Sequence, residues 1–321
     1  MSITCQLCPH ACRLSEGTVG RCRQRTVREG RVVSLNFGQV TAIALDPIEK
    51  KPLYHFYPGS TILSIGSLGC NMHCKYCQNY HIAQEEAETK RLQPAEAVAL
   101  AQAAQRTTNN IGVAFTYNEP TIGYEFVLET ASLAKEKGLK TVLVTNGYLQ
   151  VEPWLALLSH IDALNIDVKA FTEATYQELC SASLAPILRN IELAHEQSHV
   201  ELTYLVVPGI NDTLQEVERL VSWVAALSPD IPLHLTRYFP SYKLKTAPTP
   251  LTTLQQLARL AREQLNFVYL GNIGLPEATY CPQCGKLLIR RGMAPAVTKN
   301  LALGKCAECG RSVPTIRVSE G

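Results

Sequence analysis

The stretch GCNMHCKYCQN, residues 69 to 79, places three cysteines within eight positions: Cys70, Cys74 and Cys77. Thiolates are common ligands of zinc and of iron–sulfur clusters, and the structural sites of both usually take four protein ligands. A loop that stops at three can hold three irons of a [4Fe–4S] cluster and leave the fourth iron open to another molecule. The alternative is a zinc ion whose fourth ligand is a nearby histidine, His73 or His81.

Two further groups of cysteines lie near the ends of the chain. The C-terminal group has the zinc-ribbon pattern of two Cys-x2-Cys pairs, although a rubredoxin-like iron site has the same spacing: Cys281, Cys284, Cys306 and Cys309. The N-terminal group predicts a second metal site, with either zinc or an auxiliary iron–sulfur cluster: Cys5, Cys8, Cys12 and Cys22. Cys180 stands alone, and we interpret it as an ordinary semi-buried residue.

The elements that must position the central cysteines follow a regular alternation between residues 61 and 270. Apolar, strand-like runs such as TILSIGS (61–67) and IGVAFTY (111–117) alternate with segments of helical periodicity such as PAEAVALAQAAQR (94–106). This alternation predicts βαβ units, and therefore an α/β fold with a parallel sheet in a partial or complete (β/α) barrel. The three-cysteine loop directly follows the first of these strands, at the end where barrel active sites form.

We therefore expect three parts in the chain. A Cys-rich N-terminal extension occupies residues 1–60, the barrel occupies residues 61–274, and a zinc-ribbon-like domain occupies residues 275–321. A small terminal piece with little core of its own needs a metal to stabilise it, which makes the default role of the C-terminal site structural.

The composition excludes several classes of protein. Apolar residues make up 46% of the 321 residues and charged residues 18%, which is typical of a globular protein with a sizeable core. The formal net charge of +2 gives no strong attraction to nucleic acid or anionic lipid. The N-terminal MSITCQLCPH lacks the basic and apolar regions of a signal peptide, and the apolar runs are too short to span a membrane. We expect a cytoplasmic protein whose twelve cysteines stay reduced.

The Cys-x3-Cys-x2-Cys loop after a predicted strand resembles the cluster motif of the radical SAM superfamily. The resemblance implies that Cys70, Cys74 and Cys77 bind a catalytic [4Fe–4S] cluster. In that superfamily the open iron chelates the amino and carboxylate groups of S-adenosylmethionine (SAM). One electron, here expected from a flavodoxin or ferredoxin, then splits the sulfonium and yields a 5′-deoxyadenosyl radical that abstracts a hydrogen atom.

The same resemblance implies which residues contact SAM. The motifs TYNEP (116–120), VTNG (144–147) and NIDVKAF (165–171) end successive predicted strands, where the superfamily places these contacts. The candidates are Tyr76 beside the adenine, Asn118 and Glu119 near the amino group, Thr145 and Asn146 near the ribose or carboxylate, and Asp167 and Lys169 at the polar end of SAM. His234 and Arg237 are candidates for the substrate side, although His234 is equally well explained as a core residue.

Two branches of the superfamily resemble the chain more closely. TYNEPT, TNG, DVKAF and VVPGIND (206–212) are similar to motifs of pyruvate formate-lyase activating enzymes. Nearly the whole chain resembles the radical SAM enzyme of the AmmeMemoRadiSam system, through CQLCPHACRLSEGTVGRC, DPIEKKPLYHFYPGS, SLGCNMHCKYCQN and CPQCGKLLIRRG. That resemblance implies Memo-like and AMMECR-like partners. Activating enzymes usually carry an acidic residue just before TNG, next to a cation site, and Val144 stands there instead.

We therefore expect a radical SAM oxidoreductase, similar to activating enzymes, that abstracts hydrogen from a substrate the sequence does not identify. The first alternative is a glycyl-radical-enzyme activating enzyme that acts on a partner protein. The second, from a different class, is a non-catalytic zinc-binding interaction module. An open three-thiolate loop at the end of a strand would then have no purpose, which argues against the module.

Overall fold

The computed structural model describes residues 2–274, 277–292, 295–302 and 304–318. Leu275, where the predicted C-terminal domain begins, lies outside these residues. The N-terminal strands are β1 (Ile3–Thr4), β2 (Arg13–Leu14), β3 (Arg25–Arg28), β4 (Arg31–Ser34), β5 (Gln39–Val40) and β6 (Ala42–Pro47). The strands of the central region are β7 (Thr61–Gly66), β8 (Lys90–Arg91), β9 (Asn110–Phe115), β10 (Lys140–Thr145), β11 (Ala163–Asp167), β12 (His199–Val206), β13 (Leu233–Arg237) and β14 (Val268–Gly271). The C-terminal strands are β15 (Thr279–Tyr280), β16 (Leu287–Arg290), β17 (Val297–Thr298), β18 (Leu301–Ala302) and β19 (Lys305–Cys306).

Helices separate the strands of the central region. They are α1 (Tyr80–Ala83), α2 (Pro94–Thr107), α3 (Tyr124–Glu136), α4 (Val151–Leu158), α5 (Glu173–Cys180), α6 (Ala185–Gln197), α7 (Leu214–Leu227) and α8 (Leu251–Arg262), with 3-10 turns at Ile48–Lys50 and Pro120–Gly123. None of these helices is long and apolar enough to cross a membrane, within the residues that the structure describes.

The central sheet is mostly parallel and confirms the predicted α/β fold. Its eight strands lie in the order β14-β13-β12-β11-β10-β9-β7-β6, and the seven from β7 to β14 run parallel in chain order. β6, from the N-terminal region, pairs antiparallel with β7 and forms one edge. Since β6 and β14 do not pair with each other, the sheet is a partial barrel rather than a closed one.

Local sequence explains why the elements begin and end as they do. Pro94 occupies the first turn of α2, where Gln93 and Glu96 form a reciprocal capping box. In α8 the buried residues recur with helical spacing at Leu254, Leu257, Ala258 and Ala261, so that one face packs on the sheet. A 3-10 turn at Pro120–Gly123 precedes α3, and the Glu119 side chain caps it by accepting from the amide of Thr121.

The C-terminal region packs on the far side of β13 and β14. Phe267 and Tyr269 share a small apolar cluster with Leu288 and Ile289. Beside it, buried Glu201 accepts hydrogen bonds from the backbone amides of Tyr54 and His55, at 2.9 and 2.7 Å, and pairs with the rings of His199 and His234. This network joins the N-terminal region, the sheet and the C-terminal region away from the three-cysteine loop.

Candidate functional site

One cavity of about 360 Å³ lies at the carboxyl ends of the parallel strands. Its walls include every residue that the sequence predicted to bind the cluster or to contact SAM: Cys70, Cys74, Tyr76, Cys77, Asn118, Glu119, Thr145, Asn146, Asp167 and Lys169. Residues that follow the first strand and residues of β13, such as Thr236, line the same space. The sheet therefore curls around a single site, as a partial barrel requires.

The three thiols of the loop do not fit a single metal ion. Among the described residues, which include all twelve cysteines, Cys70, Cys74 and Cys77 do not lie within 4.8 Å of one another, with or without a histidine. A tetrahedral zinc with Zn–S bonds of about 2.3 Å holds its sulfurs roughly 3.8 Å apart. The zinc alternative with His73 or His81 therefore lacks its geometry, whereas the wider spacing fits a cluster of several irons.

The backbone around the loop is shaped to surround such a group. Gly69 has a φ of +84°, and a Cβ there would lie 2.8 Å from the carbonyl oxygen of Cys22, so only glycine fits. The Met72 amide donates to the Sγ of Cys70 at 3.3 Å, and the Asn146 side chain approaches the same sulfur at 3.7 Å. Burial raises the pKa of Cys77 to about 11, so the thiolate form needs compensating positive charge such as iron supplies.

Cys180 is a neighbour of the site that sequence reasoning missed. The thiol of Cys180, at the end of α5, lies beside Cys74 and lowers the pKa of Cys74. The backbone carbonyls of Cys180 and Leu179 accept from the amides of His73 and Lys75, each at 2.9 Å. Helix α5 therefore fixes the middle of the loop. An isolated cysteine has no spacing to signal this role, and only the contact reveals it.

Asn118 ties the second core strand to the loop. Its side-chain oxygen accepts from the amide of Ser67 at 2.9 Å, and its side-chain nitrogen donates to the carbonyl of Gly69 at 3.0 Å. Asn118 thus bridges both sides of the entry to the loop, and its contacts position Cys70.

The Glu119 carboxylate is fully buried and joins two strand ends. It accepts hydrogen bonds from the amide and hydroxyl of Thr121, at 3.1 and 2.6 Å, and from the hydroxyl of Thr145 and the amide of Asn146, both at 2.8 Å. Burial raises the pKa of Glu119, while these donors act in the opposite direction. Its oxygens are already engaged, so the carboxylate organises the wall of the cavity.

Asn146 connects the third strand end to the loop. Its side-chain nitrogen donates to the side-chain oxygen of Asn71 at 2.9 Å, and its side-chain oxygen accepts from the amide of Tyr148. Asn71 in turn donates to the carbonyl of Tyr148 at 2.8 Å. The residue directly after Cys70 is thereby fixed to the end of β10.

Asp167 and Lys169 form the charged part of the cavity. The Lys169 ammonium lies 2.8 Å from the Asp167 carboxylate, and the Lys169 side chain is only 16% exposed. Burial by itself lowers the pKa of Lys169, but the charges of Asp167 and Cys74 outweigh it and raise that pKa above its ordinary value. Lys169 is therefore cationic and faces the loop. Tyr76, also buried, packs edge-on against Tyr238 with ring centroids 6.4 Å apart.

The N-terminal region contributes cavity residues that the sequence analysis did not assign. Lys50 and Lys51 line the cavity, and Lys51 is buried with its ammonium 2.8 Å from Asp46. Tyr117, which has a φ of +75°, donates its hydroxyl to the same carboxylate at 2.6 Å. The partners Lys51 and Tyr117 hold the pKa of Asp46 below its usual range despite burial. Val144, where activating enzymes usually have an acidic residue, lines the wall without charge.

The two substrate-side candidates, His234 and Arg237, do not line the cavity. His234 is buried and donates to Glu201 at 2.7 Å. Its interpretation as a core residue is therefore correct. The Arg237 guanidinium donates to the carbonyl of Thr249 at 2.8 Å and lies over the ring of Phe239. Both residues sit on β13 but take part in packing.

The terminal cysteine groups differ from each other in spacing. The four C-terminal sulfurs lie within 4.8 Å of one another, with Cys281 3.6 Å from Cys309 and Cys284 3.7 Å from Cys306. This matches the sulfur spacing of one tetrahedral ion, about 3.8 Å. Among the described residues, no three N-terminal thiols meet that criterion. All twelve cysteines are free of disulfides.

Known proteins are similar to this chain in sequence and in fold. The sequence profile of the Radical SAM superfamily matches residues 64–224. An uncharacterized protein of Methanocaldococcus jannaschii is 38% identical over 98% of this chain and 96% of its own length. The 4-hydroxyphenylacetate decarboxylase activating enzyme of Clostridium scatologenes is 26% identical over 35% of this chain and 37% of its own. A radical SAM methyltransferase of Sphaerobacter thermophilus has a similar structure, with a TM-score of 0.53 and 16% identity over 72% of this chain and 71% of that one.

The matched segment covers half of the chain and contains the three-cysteine loop together with the strand ends that form the cavity. The similarity to the solved structure shows only that the fold is shared. The profile match also includes the three-cysteine motif and the strands around it. The chain belongs to the Radical SAM superfamily.

Proposed function

We propose that this enzyme reductively cleaves SAM and uses the resulting radical to abstract hydrogen from a substrate in the same cavity. Membership of the superfamily implies a [4Fe–4S] cluster and SAM. When bound, they supply one-electron cleavage of a sulfonium to a 5′-deoxyadenosyl radical. The observation that carries the proposal is the set of three thiols, too widely spaced for one ion, that opens onto a cavity of about 360 Å³.

The residues of the chain would hold and orient these groups. Cys70, Cys74 and Cys77 are the proposed cluster ligands. Lys169, kept cationic by Asp167, suits the carboxylate of SAM. Tyr76 offers an aromatic wall for the adenine, and the remaining proposed SAM contacts are Asn118, Glu119, Thr145 and Asn146. Because their mutual hydrogen bonds also hold the loop, they would place SAM and cluster in one fixed geometry.

The division of the chain follows the same logic. We propose a Cys-rich N-terminal extension at residues 1–60, a catalytic barrel at 61–274 and a zinc ribbon at 275–321. Zinc is the proposed metal of Cys281, Cys284, Cys306 and Cys309, because their sulfurs form a closed set of four with no position left for substrate. The proposed role of this ribbon is structural.

A second candidate concerns the substrate. Activating enzymes, among them that of 4-hydroxyphenylacetate decarboxylase, are relatives of this chain, which favours installation of a glycyl radical on a partner protein. The resemblance of nearly the whole chain to the AmmeMemoRadiSam enzyme supports Memo-like and AMMECR-like partners instead, and we rank it first because it covers the terminal regions too. A flavodoxin or ferredoxin is the proposed electron donor.

The test of the activity measures 5′-deoxyadenosine from anaerobically reconstituted protein with dithionite and SAM. Cys77→Ala is expected to reduce its formation to background, since the cluster loses a ligand. His81→Ala is the matched control, because His81 is an exposed residue of the same segment and belongs only to the zinc alternative. Cleavage that survives in Cys77→Ala would contradict the proposal.

The test of the substrate adds separate protein, RNA and small-molecule fractions from cells to the same reaction. Stimulation by protein, with a stable glycine-centred EPR doublet, would establish the activating-enzyme candidate. Stimulation by RNA or small molecules alone would exclude that candidate and name the class of substrate to purify.

A further inference from the structure

The N-terminal cysteines form a folded site that the proposed SAM chemistry does not use. β1 and β2 pair antiparallel, and the amide of Cys5 donates to the carbonyl of Cys12 at 2.8 Å, which sets these two residues side by side. A turn between them brings in Cys8, whose carbonyl accepts from Ala11 at 3.1 Å. Cys22 joins them after a second tight turn, and three of the four, all but Cys12, are buried.

A backbone amide is directed at one of these sulfurs. The Arg21 amide donates to the Sγ of Cys12 at 3.4 Å. The Met72 amide makes the same kind of contact with the Sγ of Cys70 in the catalytic loop, at 3.3 Å. Hydrogen bonds of this kind stabilise thiolates. The site is therefore arranged for charged sulfur ligands.

The charged groups around the site also favour thiolate ligands. The buried Arg25 guanidinium lies near the thiols of Cys5 and Cys22 and is fixed by two hydrogen bonds to Glu125, at 2.6 and 2.7 Å. The pairing of Cys5 with Cys12, the turn at Cys8 and the contact between Arg21 and Cys12 bring the four cysteines into one neighbourhood. Four thiolates together need a multiply charged metal centre between them.

Sulfur spacing within this one molecule separates two kinds of centre. The C-terminal four have the close packing of a single ion, and the three catalytic thiols do not. Among the described residues, the four N-terminal thiols resemble the catalytic thiols in this respect, because no three of their sulfurs lie within 4.8 Å of one another. Like the three thiols of the catalytic loop, the N-terminal thiols are therefore not arranged around a single tetrahedral ion.

We infer that Cys5, Cys8, Cys12 and Cys22 hold a second iron–sulfur cluster, which passes electrons from a donor protein to the catalytic cluster. With four protein ligands this cluster has no open iron for SAM, so electron transfer is the chemistry left to it. The relay rests on the proposed function, whereas the presence of the cluster does not.

The two ligand loops are in direct contact, as a relay requires. The Nε2 of His10 lies 2.8 Å from the carbonyl oxygen of Asn71, the residue after Cys70. The carbonyl of Cys22 packs against Gly69, where even a Cβ would clash. On the other side, the carbonyl of Leu7 accepts from the amide of Gln150 at 3.0 Å. The path between the two sets of thiols therefore runs through bonded and packed atoms.

The electron balance is simple. A reduced flavodoxin or ferredoxin gives one electron to the N-terminal cluster and is itself oxidised by one electron. The N-terminal cluster returns to its oxidised state when it gives that electron to the catalytic cluster. Exposed Arg13 and Arg21 flank half-exposed Cys12, which offers a positive surface to an acidic donor protein.

The first test counts metal in a chain that lacks the catalytic ligands. After anaerobic reconstitution, Cys70→Ala/Cys74→Ala/Cys77→Ala is expected to retain about four iron and four sulfide per chain, the content of one cubane cluster. Adding Cys8→Ala and Cys22→Ala should remove them. Zinc in place of this iron would overturn the inference. SAM cleavage is not needed here, so failure of the proposed function is seen separately.

The unmodified chain gives a measurement that does not depend on the folding of variants. Reduction with dithionite should produce two cluster signals in EPR, and SAM should change only the catalytic one. A single signal that SAM changes completely would contradict a second cluster.

The relay is tested by comparing two reductants. In Cys8→Ser/Cys22→Ser, the ratio of 5′-deoxyadenosine formed with reduced flavodoxin to that formed with dithionite should fall about tenfold, because the protein donor must then dock at another surface. His81→Ala should leave the ratio unchanged. An equal loss with both reductants would indicate damage to the fold and would overturn the relay.

Discussion

The C-terminal cysteines and the loop of residues 69–79 use the same ligand atoms in two different arrangements. The C-terminal sulfurs are four, lie within 4.8 Å of one another and form a closed set. The loop has three, set wider apart, and they face a cavity. Ligand number and spacing thus distinguish a centre that stabilises a small region from one that leaves a position for chemistry.

The surroundings of the two sites differ as much as the ligands. Cys284 is exposed and the C-terminal strands are two to four residues long, so this region has only a small apolar core. The loop is instead fixed by side chains from several strand ends, among them Asn118 and Asn146. A structural centre stabilises its surroundings, whereas here the surroundings position the centre.

The largest effect is expected from a variant that removes one ligand of the C-terminal site. Cys284→Ala should lose one metal ion per chain and unfold this region, because a structural zinc supplies on the order of 10 kcal/mol in small domains. Iron in the catalytic loop should stay. Elemental analysis and hydrogen exchange over residues 277–318 measure both. Glu308→Gln, which removes only the exposed pair with Lys286, is the control. Full metal content in Cys284→Ala would contradict the closed set of four ligands.

A smaller effect is expected from a variant that removes one of the side chains holding the three-cysteine loop in place. Glu119→Gln should cost about 1–3 kcal/mol of unfolding free energy, since the buried donors Thr145 and Asn146 lose a charged acceptor. Iron retained after reconstitution should fall as well. Urea unfolding and iron analysis give the two numbers. Thr121→Val, which removes one donor and keeps the carboxylate, should have an intermediate effect. Stability equal to that of the unmodified chain would show that Glu119 does not organise the strand ends.

Acid should lower the stability of the chain through His55, which lies beside the C-terminal region. Burial lowers the pKa of His55 to about 3, and its ring contacts the hydroxyl of Tyr269 at 2.6 Å and that of Thr315 at 3.0 Å. The unfolded chain binds a proton there below a pH of about 6.5, while the folded chain does not, so stability is complete above that pH and falls below it.

The slope should be about 1.4 kcal/mol per pH unit from that histidine. In His55→Gln this contribution to the loss of unfolding free energy in acid should be absent. Urea unfolding between pH 7 and 5 measures it. An identical pH dependence in the variant would exclude His55 as its source.

The smallest effect is expected from a change beside the thiols of the three-cysteine loop, which the C-terminal thiols do not share. Cys180→Ala removes the polar thiol beside Cys74 and should shift the reduction potential of the catalytic cluster to a more negative value. Cys180→Ser keeps a donor and should shift it less. An EPR redox titration measures the potential without reference to turnover. Equal potentials in all three proteins would show that Cys180 only fills space.

Sequence spacing was sufficient to predict local features. The alternation of strand-like and helical runs predicts the parallel sheet, because side-chain periodicity reports which face of each element is buried. The helical segment predicted at residues 94–106 corresponds to α2, which spans Pro94–Thr107. The three-cysteine loop, and the C-terminal four, are recognisable because metal ligands close together in space are also close together in the chain.

The tertiary structure decided what depends on contacts between distant segments. Cys180 lies 106 residues from Cys74 and Lys51 lies 66 residues from Tyr117, yet each pair meets at the cavity. Spacing within one segment carries no record of such pairs. For the same reason the sequence could not separate a wide set of thiols from a close one, since the distance between Cys5 and Cys22 depends on how two turns fold around them.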